Sequence, residues 1–312
     1  MKPGIADLRV DALLSNFSIA YRNTKYINDL ILPRMPVQFK TGRYAKYGLE
    51  NFRTNMGNLY RAPGARAVSA DFTVSQGDYA CKERCIEKPI PWEYIKNQQD
   101  PFNIKRDATQ YIMDMVIVNR EKALRDYMAS TVNLPQNITL TGTDQWNDYA
   151  NSDPFDDIDT AINTVFDARG IRPNTLILSY DVFVKLKKHP DTRENIKYTN
   201  GGQLSDTDFA NGLKQYFNLD QVLVGTAHGD NTVEGQTASL SSIWTKDAWV
   251  VYIPPTAGLM TPAFGMTFED EANIVDEYEE KSHKRDVVRV TMSYDQNICD
   301  NYLAYYIKNA IA

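Results

Sequence analysis

Four carboxylates, Asp153, Asp156, Asp157 and Asp159, crowd the start of the stretch DPFDDIDTAINTVFDARG (153–170). Neighbouring carboxylates can hold a divalent cation or divide between general acid and general base. The same four residues also fill the opening turns of an expected helix. Asp153 takes the capping position, Pro154 the first helical position and Gly170 the stop. Negative charge there offsets the helix dipole, so capping accounts for all four. A cytosolic hydrolase using Asp153, Asp156 and Asp157 stands as the alternative from a different functional class.

The other chemistry-bearing residues form no constellation. His189, His228 and His283 fall at loop positions without HExxH or i,i+4 spacing, and are expected to be solvated. Cys81, Cys85 and Cys299 are an odd set without zinc-type spacing, which predicts reduced thiols. Cys81 and Cys85 would share one strand face about 13 Å apart, too far to bridge. No GxxxxGK[ST], GxGxxG or GxSxG pattern occurs. The expectation is no catalytic residue, no metal and no cofactor. Asn16-Phe17-Ser18 and Asn137-Ile138-Thr139 match the glycosylation pattern, but the first residues lack the apolar centre of a secretory signal.

Composition sets the class. The chain has 312 residues, 43% of them hydrophobic, enough for sizeable cores and about two domains. A net charge of −6 and a pI near 5.2 argue against a dedicated binder of nucleic acid or anionic membrane. No stretch approaches the roughly 20 apolar residues of a membrane span.

The elements that must position these residues read as α+β. Residues 1–38 hold short apolar patches ending in Pro33 and Pro36, an extended segment that packs on something else. The stretch GRYAKYGLENFRTNMGNLYRAPGARAVSADFTV (42–74) follows, with strand-like halves near 42–52 and 70–86 around a Pro63-Gly64 pair suited to a type II turn. A helix is predicted over 101–130, capped by Asp100. Its stripe runs Met113, Ile117, Leu124, Met128, and Glu121–Arg125 forms a possible i,i+4 pair. Its length of roughly 45 Å makes it a spine. A mixed α/β middle contains strands at 173–179, 221–224 and 244–254. The tail returns to β with Val288, Val290, Met292 and Tyr294 alternating, and NYLAYYIKNAI forms a final strand.

Charge is distributed unevenly along the chain. Residues 34–66 carry Arg34, Lys40, Arg43, Lys46, Arg53, Arg61 and Arg66 against Glu50, a net +6. Residues 269–280 carry seven acids and no base, a net −7. Fixing some 30 arm residues costs roughly 30–60 kcal/mol of backbone entropy, so a partner surface must hold the arm if it is ordered. The complementary runs point to another copy of the chain. The residues expected at that interface are Arg43, Tyr44, Lys46, Arg53, Arg61 and Arg66 on the arm, and Glu269, Asp270 and Glu271 opposite.

In this order of elements, and in the wording GRYAKYGLENFR, RAPGA, ADFTVSQGDYACKERCIEKPIP and DPFNIKRDATQYIMD, the sequence resembles the major capsid proteins of tailed bacteriophages. The resemblance covers most of the chain, best from 36 to 130. It implies an N-terminal arm (1–38), an extended loop (39–90), a peripheral domain (91–153 with its spine helix, and the C-terminal strands 259–312) and an axial domain (154–258). It further implies self-assembly through hexamers and pentamers into an icosahedral virion shell, built in the host bacterial cytoplasm around double-stranded DNA that is contacted nonspecifically. A portal and a decoration protein are other implied partners, and since 1–40 lacks the long charged helical segment that begins some members, a separate scaffolding protein or a chain already shortened is implied. A nanocompartment shell of the encapsulin type is the runner-up.

Overall fold

In a computed structural model the chain is described over residues 9–10, 26–46, 60, 63–64, 66, 75–97, 103–197, 205–230, 239–258 and 261–312. The N-terminal part contributes β1 (Arg9–Val10), the short helix α1 (Asn28–Ile31) and β2 (Arg34–Pro36). Next come β3 (Thr41–Lys46), β4 (Ser75–Ala80), the long strand β5 (Lys82–Pro91), α2 (Trp92–Lys96) and the spine helix α3 (Ile104–Met128). The middle holds β6 (Asn137–Thr139), α4 (Pro154–Arg169), β7 (Thr175–Ser179), α5 (Tyr180–Lys188) and α6 (Pro190–Lys197). It continues with α7 (Asp206–Tyr216), β8 (Gln221–Gly225) and a small hairpin of β9 (His228–Asp230) and β10 (Leu240–Ser242). The last elements are β11 (Ala248–Val251), β12 (Gly265–Glu280), β13 (Arg285–Ile298) and β14 (Ala304–Lys308).

Two five-stranded sheets organise these elements. In the first, β5, β13 and β12 are antiparallel neighbours. Both N-terminal strands lie along the remaining edge of β12, β2 in parallel at Thr267–Glu269 and β1 antiparallel at Asp276–Glu277. The second sheet is mixed, in the order β6-β14-β11-β7-β8. Every residue of β7 and β11 is buried, and Leu176–Leu178 and Ala248–Val251 form continuous apolar runs, as in strands covered on both faces.

The spine helix joins the two sheets. Its first half lays Ala108, Ile112, Met113 and Val116 on Val288, Val290, Met292 and Tyr294, the alternating residues of β13. Its last turns send Leu124 and Met128 into a different core, with Ile177, Trp249, Val251 and Tyr306 of the mixed sheet. The opposite face of that sheet, with Leu176, Leu178, Val250 and Ile307, packs under α4, α5 and α7. Trp249 marks the join: its ring stacks on Tyr306 at 5.4 Å, meets Trp244 edge-on at 5.3 Å, and its Nε1 donates to the Met128 carbonyl at 3.0 Å. Such aromatic pairs contribute about 0.5–1.5 kcal/mol beyond the area they bury.

Several expectations are corrected. The spine begins at Ile104 rather than 101, capped by Asn103, whose side chain accepts from the Arg106 amide at 3.1 Å, and it closes at Met128. Asp100 and Pro101 lie outside the described residues. Glu121 makes no pair with Arg125, because its carboxylate is buried and bonded elsewhere. The strand expected over 244–254 shrinks to Ala248–Val251: a tight turn from Thr245 to Asp247 precedes it, and Pro254 and Pro255 cannot donate to a ladder. Residues 259–312 do not stay together. β12 and β13 join β5, whereas β14 crosses to the interior of the mixed sheet between β6 and β11. Ala304–Ile307 are all buried, as in a strand covered on both faces.

β3 and β4 pair antiparallel, Tyr44 facing Gly77 and Tyr79 facing Gly42. Each ring lies over the glycine opposite, where an added Cβ would overlap it. Both rings then stack on Phe268 of β12, at 5.4 and 4.6 Å, which fastens the base of the hairpin to the first sheet. Gly64 has a φ of 81°, the left-handed value that a type II turn needs after Pro63.

At mid-spine, Arg120 and Glu121 are 3% and 0% exposed. Glu121 accepts the backbone amides of Ile27 (3.2 Å) and Asn28 (2.8 Å) and the Trp244 indole (2.6 Å). Burial still pushes its carboxyl above the usual range. Arg120 covers the Tyr294 ring at 4.7 Å and binds Asp29 at 2.9 Å. Burial alone would raise the Asp29 carboxyl, but Arg120 and Arg34 outweigh it and hold it below the ordinary value.

Two outcomes test this packing. Glu121→Gln places an amide N–H2 against an amide donor, so thermal unfolding should show a loss of about 1–3 kcal/mol, with Glu279→Gln on the exposed end of β12 unchanged. Gly77→Ala should push Tyr44 off Phe268 at a cost of about 1–3 kcal/mol, read as faster amide exchange in β3 and β4 with the spine unaffected.

Candidate assembly surface

The enzyme-like residues are absorbed into the fold. Asp153 caps α4, accepting from the amides of Phe155 and Asp156 at 3.1 Å each. Asp157 does more than favour a helix dipole: its Oδ2 accepts the indole N–H of the fully buried Trp146 at 2.7 Å, a role the capping reading missed. Burial raises the carboxyls of both Asp157 and Asp159. Among the described residues, no three His, Cys, Asp or Glu side chains converge as metal ligands.

His189 overturns the expectation of a solvated side chain, whereas His228 and His283 are exposed. It is 0% exposed at the corner between α5 and α6, with its Nε2 3.2 Å from Ser152 Oγ. The pair resembles a nucleophile and its base, but its protons are committed. Ser152 Oγ donates to the Asp148 carbonyl at 2.7 Å, so Nε2 must itself donate to Ser152 and cannot act as base. The contact is a structural pin between a loop and a helix corner. The cysteines are free thiols, and burial pushes Cys81 and Cys299 up to about 11, leaving both protonated at neutral pH.

The charged runs occupy surface elements, with unequal freedom. On the hairpin, Arg43 is exposed beside Asp78 at 3.4 Å, and Lys46 sits 5.6 Å over the Tyr44 ring. Tyr44 itself is only 4% exposed and is spent within the chain against Phe268. Arg66 is exposed, and Arg53 and Arg61 lie outside the described residues. The acidic run is β12, much of it neutralised inside the chain. Glu269 meets Arg34 at 3.5 Å, Asp276 pairs with Arg289, Glu277 with Lys105, and Glu280 with Arg285. Asp270 is half-buried. Glu271 and Glu279 stay exposed without an ion pair among the described residues.

Sequence reasoning missed the Arg120–Glu121 centre, although a signal was present. The stripe Met113, Ile117, Leu124, Met128 passes through position 121, and a carboxylate on an apolar stripe must find donors when buried. No described helix is long and apolar enough to cross a membrane.

Residues 127–286 match the family described as phage major capsid protein E. The major capsid protein of Burkholderia phage BcepMu is 26% identical over 291 residues, 90% of each chain. A phage-related protein from Bordetella bronchiseptica RB50 superimposes with a TM-score of 0.76 at 25% identity, over 96% of this chain and 97% of its own. The mature capsid of bacteriophage PhiM1 shares the fold with a TM-score of 0.56 at 12% identity, over 99% of this chain and 90% of its own. These matches favour a phage capsid over a nanocompartment and leave no support for the hydrolase alternative. With the family match spanning half of the chain, the protein belongs to the phage major capsid protein E family, structural proteins of the phage shell and not enzymes.

Proposed function

We propose that this shell subunit assembles through hexamers and pentamers into an icosahedral capsid, and that the extended arm between β3 and β4 is its reach to the neighbouring copy. The observation that carries this reading is the aromatic base of the arm. Tyr44, Tyr79 and Phe268 fix where the arm leaves the subunit, while Arg43, within that base, and Arg66 remain exposed. On this reading 39–90 is the extended loop, 91–153 apart from β6 is, with β12 and β13, the peripheral domain, and 154–258 joined by β6 and β14 is the axial domain around the ring axes. The strands that leave the axial segment and return to it support that division.

The proposal extends to charge. Arg53, Arg61 and Arg66 of one copy lie near Glu271 and Glu279 of the next, the exposed acids of β12 that make no ion pair among the described residues; Glu269 and Asp270 support that contact from within. Packaged double-stranded DNA is touched nonspecifically, given the acidic balance of the chain. A separate scaffolding protein, a portal and a decoration protein complete the particle, which is assembled in the host bacterial cytoplasm.

Two measurements test the reading. Lys46 and Ser75 are cross-strand partners, so a short Gly-Ser linker can replace residues 47–74 without opening the hairpin base. That variant should melt cooperatively and form no shells by electron microscopy; normal shells would remove the arm from the assembly contact. Separately, reversing Arg53, Arg61 and Arg66 to Glu should impair assembly, most at low salt where repulsion is least screened. Adding Glu271→Lys and Glu279→Lys should restore part of it. Single exposed pairs contribute only about 0–1 kcal/mol, so the changes are made together. No recovery at any ionic strength would separate the two runs.

A further inference from the structure

We infer that residues 26–36 form a strap that fixes the angle between the two sheets, and that its docking sets the curvature of a shell built from this chain. The second half of this inference rests on the shell reading above. The strap touches every body whose relative position matters. Through the Ile27 and Asn28 amides it reaches Glu121 on the spine, and through that same carboxylate it is coupled to Trp244 beside the mixed sheet. Ile27, Ile31 and Leu32 enter the core that Leu124, Trp249 and Phe264 share. On its other side it is tied to the first sheet: Gln296 donates to Asn28 Oδ1 at 2.7 Å, Thr267 Oγ1 to the Leu32 carbonyl at 3.3 Å, and the Val37 amide to the Glu269 carbonyl at 2.9 Å.

Two further observations make the strap a lock rather than one more packed segment. First, its departure would leave Arg120 buried without Asp29, and Glu121 with one donor in place of three, so docking is all-or-none in character. Secondly, β12 is regular where β2 splints it, at Thr267–Glu269, and irregular immediately beyond, with register shifts between Glu269 and Glu271 and between Glu271 and Ile274. Bulges bend a strand and increase its local twist. The strap therefore stiffens the half of β12 next to the mixed sheet and ends where the strand can flex. A closed shell cannot be tiled by sixfold rings alone, so one chain must serve at more than one curvature, and the joint held by the strap is the place to adjust it.

The test uses the full chain with Asp29→Asn and, separately, Arg34→Gln, followed by hydrogen exchange of the unassembled protein and electron microscopy of shells. In Asp29→Asn, the amides of Ile27 and Asn28 and those at the crossings between the sheets (Tyr252, Phe264, Cys299) should exchange at least tenfold faster together, while β7 and the centre of β13 keep their protection. Shells should then vary in diameter. Acceleration confined to 26–36, or shells as uniform as the parent's, overturns the lock. If Asp29→Asn fails to fold, Arg34→Gln carries the test, since it keeps the Asp29–Arg120 pair and removes only surface contacts; it should accelerate the same crossings by a smaller factor, and unchanged crossings overturn the proposal. Absence of shells from the parent chain would instead count against the shell reading, with the exchange data still deciding the strap.

Discussion

Opposite charges side by side on the buried stripe of one helix constrain everything around them. Arg120 and Glu121 lie at mid-spine, where the helix leaves one core and enters the other, and neither can reach water. An unpaired buried charge is far more costly than a lost apolar contact, so each must be met by groups brought from elsewhere in the chain. Glu121 is met by two amides of the N-terminal strap and an indole; Arg120 is met by Asp29 and by the face of Tyr294. Segments more than 90 residues apart are thereby forced into one arrangement, since Asn28 and Glu121 are 93 positions apart in the chain. A buried apolar pair could have been as stable, but it would have tolerated sliding. Directional donors fix the position of the strap to within a hydrogen bond.

From that joint outward the molecule divides its labour. Side chains that could have done chemistry are used inside the fold: Asp153 and Asp157 hold α4, and Ser152 and His189 hold the loop before it. Among the described residues, Arg43 and Arg66 beside the hairpin and Glu271 and Glu279 of β12 remain exposed. This is the economy expected of a shell subunit, in which the specific surface is spent on further copies of itself. Local neutralisation sharpens the point. Four acids of β12 are paired among the described residues, so the segment that looked uniformly acidic in the sequence is largely neutralised by its own chain.

Short-range features were legible in the residues themselves. Asp153-Pro154 at one end and Gly170 at the other delimit α4, Pro63-Gly64 specifies a turn, and the alternation from Val288 to Tyr294 marks the inward face of β13. These signals act over one turn of helix or two residues of strand, through caps, fixed φ angles and side-chain period, and they need no knowledge of the partner. The order of elements, with its local wording, was sufficient to reveal the capsid resemblance.

Partner choice was settled only in three dimensions. NYLAYYIKNAI announces a strand, but its five consecutive buried residues, Leu303–Ile307, fit either sheet, and the crossing of β14 to lie between β6 and β11 is decided by which interior has room for it. Tyr44 reads as a contact to another copy until the glycine opposite it and Phe268 beneath it are placed. His189 reads as a loop histidine until Ser152 is folded against it. Glu121 reads as a surface charge because its donors come from residues 27, 28 and 244. In each case the sequence determined the local conformation and the chemical need of the side chain, while the tertiary structure decided what met that need, because burial and pairing depend on the register between distant segments and no local pattern records it.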